Sequence, residues 1–108
     1  MITVPTVLVI SDYPIVQTAV DRTFRHRYQI VPRTWSAQIE APWCTAEISI
    51  LDVTRIDRTD ALHHALNDLR GGRIVLCSLY DNEVHVYRHE LSGLCMEAAL
   101  PSLLSLSA

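Results

Sequence analysis

The chain has 108 residues with a formal net charge of −3, and 49% of its residues are apolar. This length supports one domain, residues 1–108, and the apolar fraction excludes a disordered tail. The chain has no run of basic residues of the kind that binds nucleic acid directly. No apolar stretch reaches the ~18–20 residues of a membrane span. Three widely spaced cysteines without a C-x-x-C pair favour a reduced, cytoplasmic protein.

Short apolar runs alternate with segments of helical periodicity along the chain. The runs predict strands at residues 4–10, 28–31, 48–51, 74–77 and 94–96. Helices are predicted over 14–24, 61–69 and 84–91, with shorter ones within 36–44 and 100–106. Pro5 and Asp12 interrupt the first run, so it is predicted to be a strand rather than a secretory signal. Such alternation predicts an α/β domain with a parallel sheet covered by helices on both faces.

Polar side chains occur at or just after four of the predicted strands. They are Asp12, Asp52, Ser78 and Glu97. In open α/β sheets, ligands bind in the crevice beyond the carboxyl ends of the strands. The four side chains are therefore expected to converge on one edge of the sheet. The plainer alternative is that they are strand-end or helix-capping residues.

Four stretches in the expected order resemble the receiver domain of bacterial response regulators, especially those preceding LuxR-type helix-turn-helix output domains. They are "VLVISDYPIVQTAV", "SILDV", "IVLCSL" and "HELSGLCMEA". The resemblance implies a flavodoxin-like (βα)5 three-layer sandwich with a parallel five-stranded sheet in the order 2-1-3-4-5. Another small flavodoxin-like domain that shares only this topology is the competing interpretation.

The resemblance also implies a set of site residues. Asp52 would be the phospho-accepting carboxylate, and Ser78 would stand at the family's Ser/Thr position. Asp12, Asp52 and the Thr54 carbonyl would bind Mg²⁺, which neutralises charge during phosphoryl transfer.

Several positions depart from the family pattern. Ser11 replaces one acid of the usual pair, which would weaken Mg²⁺ binding. Glu97 stands where the family has a lysine, and two like charges ~4 Å apart repel by about 4 kcal/mol at an effective dielectric of ~20. Cys95 replaces the usual aromatic residue, and only Arg55 and Arg58 offer compensating cations nearby.

These departures favour an atypical, degenerate receiver that is not an enzyme and signals through protein–protein interaction. A homodimer is expected through the fourth-helix to fifth-helix face or the first-helix face, and an output domain absent from this chain would control transcription. One alternative is a working Mg²⁺-dependent phospho-acceptor that a histidine kinase phosphorylates at Asp52. Another is a flavodoxin-like domain that senses a small molecule, or a minor enzyme, using the same crevice.

Other conspicuous side chains carry weaker signals. His85 and His89 are four residues apart and could hold a metal, but without a third ligand a solvated face is the better interpretation. Trp35 and Tyr80 are predicted to serve in packing; the alternatives are a binding site for Trp35 and a partner surface for Tyr80.

Overall fold

The computed structural model contains a six-stranded mixed sheet with helix α1 packed on one of its faces. It describes residues 4–35, 46–54, 62, 65–67, 69, 72–80, 83–90 and 93–102. The elements are β1 (Thr6–Ile10), α1 (Pro14–Phe24), β2 (Gln29–Arg33), β3 (Ile48–Asp52), β4 (Arg73–Cys77), β5 (Val84–Glu90) and β6 (Gly93–Leu100). The strand order is β2-β1-β3-β4-β5-β6.

Four parallel strands form the first part of the sheet. β1 pairs with β2 on one side and β3 on the other, and β3 pairs with β4. Val7, Leu8, Val9 and Ile10 are each at most 1% exposed, as expected of a parallel strand covered on both faces. Burying each such side chain contributes about 1.5–3 kcal/mol. The apolar runs thus placed these four strands correctly.

Both faces of the sheet carry a hydrophobic core. On one face, Val16, Val20 and Phe24 are spaced four residues apart and form one apolar side of α1. This side packs against Val7 and Val9 of β1. Pro14 occupies the first turn of α1, where its missing N–H is tolerated. On the opposite face, a second cluster includes side chains from the region predicted as the helix over 61–69, of which residues 62 and 65–67 are helical.

A glycine is required where the chain enters β4. Gly72 has a φ of 51°, and a Cβ added there would lie 1.6 Å from the Glu47 carbonyl oxygen. The next amide, from Arg73, donates to that same carbonyl at 3.0 Å. Only a residue without a side chain permits this approach.

The predicted flavodoxin-like sandwich is wrong, because an antiparallel hairpin follows β4. Residues 84–91 were predicted to be helical, but Val84–Glu90 forms β5, antiparallel to β4. The predicted strand over 94–96 is part of the longer β6, which runs antiparallel to β5. The all-parallel, five-stranded sheet in the order 2-1-3-4-5 is therefore replaced by a mixed sheet of six strands.

The burial pattern gives the physical reason for the hairpin. Val84 and Val86 are buried, whereas His85 between them is only half-buried. This alternation matches a strand with one face on a core, and both valines join the cluster beneath α1.

Some predictions fall on residues that the structure does not describe. They are the short helix within 36–44, most of the last helix over 100–106, and the cations Arg55 and Arg58. Leu100, the first residue of that last helix, instead ends β6. None of the helical segments described reaches the length and apolar character needed to cross a bilayer.

Candidate functional site at the carboxyl edge of the parallel strands

Asp12 and Asp52 lie at the same edge of the sheet. Asp52 is the last residue of β3, and Asp12 follows the end of the neighbouring parallel strand β1. Their exposure differs: Asp52 is 2% exposed, whereas the Asp12 side chain faces solvent. The topology thus brings two acids from distant parts of the chain together and buries only one.

The Asp52 carboxylate is held by neutral hydrogen-bond donors. The Ser11 hydroxyl donates to Oδ2 at 2.6 Å, and the Thr54 amide donates to Oδ1 at 3.0 Å. The Thr54 hydroxyl also donates to Oδ1. Burying a carboxylate without compensation costs several kcal/mol, so these donors are what allows Asp52 to remain in the interior.

Trp35 links the ends of β1 and β3 by hydrogen bonds to Asp12 and Asp52. Its backbone amide donates to Asp12 Oδ1 at 3.2 Å, and its indole Nε1–H donates to the Asp52 carbonyl at 2.7 Å. The ring also packs against the core cluster on the face opposite α1. In a sheet ordered β2-β1-β3-β4, the crevice between β1 and β3 is the topological switch point where ligands commonly bind. Here the chain's own tryptophan bridges that crevice.

A chain of hydrogen bonds continues from Asp52 to the segment after β4. The Thr54 hydroxyl oxygen accepts from the Leu79 amide at 2.8 Å while its hydrogen is directed at Asp52. The predicted site residue Ser78 is part of this segment, and its Oγ accepts from the Tyr80 amide at 3.1 Å. Ser78 therefore shapes the turn that carries Leu79 and Tyr80.

Cys77 is the direct neighbour of Asp52 on β4. Burial, and secondarily the negative charge of Asp52, raises the pKa of the Cys77 thiol from its ordinary value of 9.0 to about 12. The thiol is therefore protonated at neutral pH and behaves as a small apolar side chain.

Gln17 of α1 joins the helix to the same edge. Its Nε2 donates to the Ser11 carbonyl at 3.1 Å and to the Arg33 carbonyl at 3.0 Å, tying together the ends of β1 and β2. A cleft of about 400 Å³ lies beside this junction and is lined in part by Asp12, Tyr13 and Arg33.

The arrangement as it stands does not fit a Mg²⁺ ion. Both Asp52 carboxylate oxygens face protein donors, and one oxygen of Asp12 accepts from Trp35. Thr54, the other predicted ligand, contacts Asp52 through its amide and hydroxyl. Among the residues that the structure describes, no three His, Cys, Asp or Glu side chains form a group able to hold a metal.

Glu97 does not join this edge. It lies inside β6, and its Oε2 is 3.3 Å from Nε of Arg73, the first residue of β4. Asp52 instead pairs with Cys77, the last residue of β4. Strands β4 and β5 lie between β3, which carries Asp52, and β6, which carries Glu97. Three strand spacings, about 14 Å, therefore separate the two backbones. The expectation that Glu97 faces the Asp52 carboxylate therefore fails. The sequence contains no lysine that could take the family's lysine position instead.

Sequence reasoning underestimated Trp35, which was predicted only to pack. A usable signal was present, because Trp35 comes two residues after β2. The carboxyl ends of parallel strands meet at one edge, so that position already places Trp35 near Asp12 and Asp52. For Ser11 the sequence predicts an oxygen in place of the family's acid, with weakened Mg²⁺ binding, and no pattern in the sequence indicates its hydrogen bond to Asp52.

No protein-family model, curated protein or solved structure matches the chain.

Proposed function

We propose that the chain is a regulatory module of the kind that a degenerate receiver domain provides, and that it signals by binding another protein rather than by phosphoryl transfer. The burial of Asp52 is the observation that carries this proposal. A carboxylate that attacks phosphorus needs an oxygen open to the incoming phosphoryl group. Asp52 is 2% exposed, and both of its carboxylate oxygens accept hydrogen bonds from Ser11 or Thr54.

The position of Trp35 supports the same proposal. An incoming phosphate or metal would meet a crevice that Trp35 already bridges, through its indole hydrogen bond to the Asp52 backbone carbonyl and its amide hydrogen bond to Asp12. It would also have to break the Ser11 hydrogen bond and leave a buried donor unpaired. The polar groups at this edge therefore bond to one another and close the edge.

An exposed apolar surface at the same edge supports protein binding. Ile15, in the first turn of α1, is 65% exposed, and Leu79 and Tyr80 after β4 are 48% and 81% exposed. Aromatic side chains are enriched at protein interfaces, where they supply large contact areas. We call Asp12, Ile15, Leu79 and Tyr80 the carboxyl-edge surface and propose it as the partner-binding surface.

The resemblance to receiver domains extends the proposal to the partner and the output. A histidine kinase or another regulatory protein would bind this surface, and an output domain outside this chain would pass the signal to transcription. The proposed compartment is the cytoplasm.

Phosphorylation chemistry provides the first test. The protein is incubated with acetyl phosphate and Mg²⁺, and separately with beryllofluoride and Mg²⁺, with Asp52→Asn as the matched control. We expect no added phosphoryl group in the intact mass and no change in the amide spectrum that depends on Asp52. A phosphoryl adduct on the native chain that Asp52→Asn abolishes would contradict the proposal and establish a working phospho-acceptor.

Site-specific photo-crosslinking provides the second test. A photoreactive residue replaces Tyr80, and the control replaces Val4, which is 55% exposed and precedes the amino end of β1. We expect a single, identified regulatory protein to be crosslinked to the chain that carries the photoreactive residue at position 80. The same protein should not be crosslinked to the chain that carries it at position 4. Ile15→Asp should weaken its purified complex about tenfold, or ~1.4 kcal/mol. Equal crosslinking from both positions, together with unchanged affinity of Ile15→Asp, would rule out this surface.

A further inference from the structure

The carboxyl-edge surface consists of two parts that follow different strands. Asp12 and Ile15 follow β1, with Ile15 in the first turn of α1, whereas Leu79 and Tyr80 follow β4. Strand β3 lies between β1 and β4, so the two parts start two strand spacings apart, about 10 Å. Asp52 is the last residue of β3 and therefore lies between the two parts, where it can contact both sides.

Asp52 reaches the first part of the surface through Ser11. The Ser11 hydroxyl donates to Asp52 Oδ2 at 2.6 Å, and its oxygen accepts from the Tyr13 amide at 3.0 Å. The Tyr13 carbonyl is farther from the hydroxyl, at 3.3 Å, so the hydrogen is directed at the nearer, charged acceptor. The first backbone hydrogen bonds of α1 end on this same Tyr13 carbonyl. The Ser11 hydroxyl therefore connects Asp52 to the helical turn that carries Ile15.

Asp52 reaches the second part through Thr54 in the same way. The Thr54 hydroxyl donates to Asp52 Oδ1, and its oxygen accepts from the Leu79 amide at 2.8 Å. The direction of this hydroxyl is fixed, because a carboxylate only accepts hydrogen bonds and a backbone N–H only donates them. Hydrogen bonds arranged in such a chain strengthen one another. Each oxygen of one buried carboxylate thus holds, through a hydroxyl, one backbone amide next to or within a part of the surface.

We propose that Asp52 is a positioning residue that fixes the two parts of the carboxyl-edge surface relative to each other. It acts through the hydroxyls of Ser11 and Thr54. Asp52 is itself 2% exposed, so a partner recognises the spacing of the two parts without touching Asp52. Recognition by a partner rests on the proposed function, whereas the positioning is a property of the free chain.

Hydrogen exchange of single amides in the free chain tests the two connections. Thr54→Val keeps a branched side chain of similar shape but removes the hydroxyl. The Leu79 amide should then exchange at least about fivefold faster, as expected for one lost hydrogen bond, while the Tyr13 amide keeps its rate. Thr54→Ser retains the hydroxyl and should restore the native rate at Leu79. Ser11→Ala should give the reverse pattern, with faster exchange at Tyr13 and not at Leu79. An unchanged Leu79 rate in Thr54→Val, or equal acceleration of both amides in each variant, would overturn the proposal.

Removing the shared acceptor tests Asp52 itself. In Asp52→Ala both hydroxyls lose their acceptor, so the Tyr13 and Leu79 amides should both exchange faster. The increase should exceed that of the amides inside β1, which report on opening of the whole sheet. Acceleration at one of the two amides alone, or no greater than in β1, would show that Asp52 does not hold both parts. The Thr54 and Ser11 variants decide the proposal if Asp52→Ala does not fold.

Affinity for the partner tests whether the spacing is recognised. Thr54→Val should weaken the complex with the protein crosslinked from position 80 about tenfold, whereas Thr54→Ser should bind as the native chain does. A complex that is equally tight with Thr54→Val would overturn recognition of this spacing. The exchange rates decide the positioning by Asp52, and crosslinking from position 80 decides the proposed function, so the two can fail separately.

Discussion

Ser11 Oγ lies 2.6 Å from Asp52 Oδ2 and donates a hydrogen bond that joins the ends of β1 and β3. Both residues are 2% exposed. Ser11 Oγ also accepts from the Tyr13 amide at 3.0 Å, which fixes the turn leading into α1. One hydroxyl thus satisfies a buried carboxylate and shapes the start of the helix.

Replacing Ser11 with alanine is expected to destabilise the fold. Ser11→Ala leaves Asp52 Oδ2 buried without its donor, which costs about 1–3 kcal/mol. Urea unfolding at neutral pH measures the loss. Thr18→Ala, an exposed polar position on α1, is the control and should change stability little. If both substitutions cost the same small amount, the Ser11 hydrogen bond does not stabilise the protein.

Placing an acid at position 11 is expected to create a need for a cation. Ser11→Asp sets a second carboxylate beside Asp52, and two like charges so close repel by a few kcal/mol. The variant should be less stable than the native chain at neutral pH, and Mg²⁺ should restore part of the loss by binding the folded state. Thermal unfolding with and without Mg²⁺ measures both effects. Equal responses of the variant and the native chain to Mg²⁺ would contradict this prediction.

The Trp35 indole hydrogen bond is expected to contribute measurably to stability. Trp35→Phe keeps an aromatic ring but leaves the Asp52 carbonyl without its donor, at a cost of about 1 kcal/mol. Denaturant unfolding checks this value. The chain has two tryptophans, so Trp43→Phe isolates the Trp35 emission. In that background, native Trp35 should emit at shorter wavelength and resist acrylamide quenching more than after unfolding. Equal quenching in the two states would show that Trp35 does not cover the crevice.

The parallel strands could be predicted because their sequence signal is local. Val7 to Ile10 and Ile48 to Leu51 are short runs of almost entirely apolar residues, and a strand buried on both faces needs such a run. Once the strands are parallel, their carboxyl ends share an edge. The common location of Asp12 and Asp52 followed from that geometry alone.

The hairpin could not be predicted, because the sequence of its first strand fits both the helical period and the two-residue period of a strand. Val84, Tyr87 and Leu91 have helical spacing, while Val84 and Val86 alternate as in a strand. Pairing decides between them: Val86 lies opposite Val75 and Tyr87 opposite Ile74, so tertiary contacts favour the strand.

The position of Glu97 follows from the same error. A strand ending at residue 96 would have placed Glu97 beyond the sheet, at the carboxyl edge. β6 instead continues to Leu100, which leaves Glu97 inside the strand and within reach of Arg73. The hydrogen bonds around Asp52 could not be predicted from the sequence either, because they depend on side-chain positions that no spacing in the sequence specifies.

Removing the Ser49 hydroxyl is expected to change the free energy of unfolding in the opposite direction from removing the Ser11 hydroxyl. Ser49 is 1% exposed within β3, and its Oγ has no hydrogen-bond partner among the described residues. A buried hydroxyl without a partner costs free energy, so Ser49→Ala should be neutral or stabilising by up to about 1 kcal/mol. Urea unfolding of Ser49→Ala and Ser11→Ala under identical conditions compares the two. A loss of more than about 1 kcal/mol for Ser49→Ala would mean that its hydroxyl is satisfied in solution.

The raised pKa of Cys77 predicts a stability that falls in alkaline solution. In the unfolded chain the thiol loses its proton near its ordinary pKa of 9.0, whereas in the folded chain it keeps the proton until about 12. Between these values the unfolded state binds fewer protons, so the free energy of unfolding decreases as pH rises. Cys77→Ala should show a shallower decrease over the same range, measured by urea unfolding at a series of pH values.

Alkylation supplies an independent check on Cys77. At mildly alkaline pH, iodoacetamide should modify the native Cys77 thiol far more slowly than that of Cys95, which is half-buried on β6. After unfolding, the two thiols should react at similar rates, because burial is the larger cause of the raised pKa and unfolding removes it. Peptide mapping after timed alkylation distinguishes the sites. Rapid modification of Cys77 in the folded protein, or a pH profile of stability unchanged by Cys77→Ala, would show that the thiol at the Asp52 edge is open to solvent.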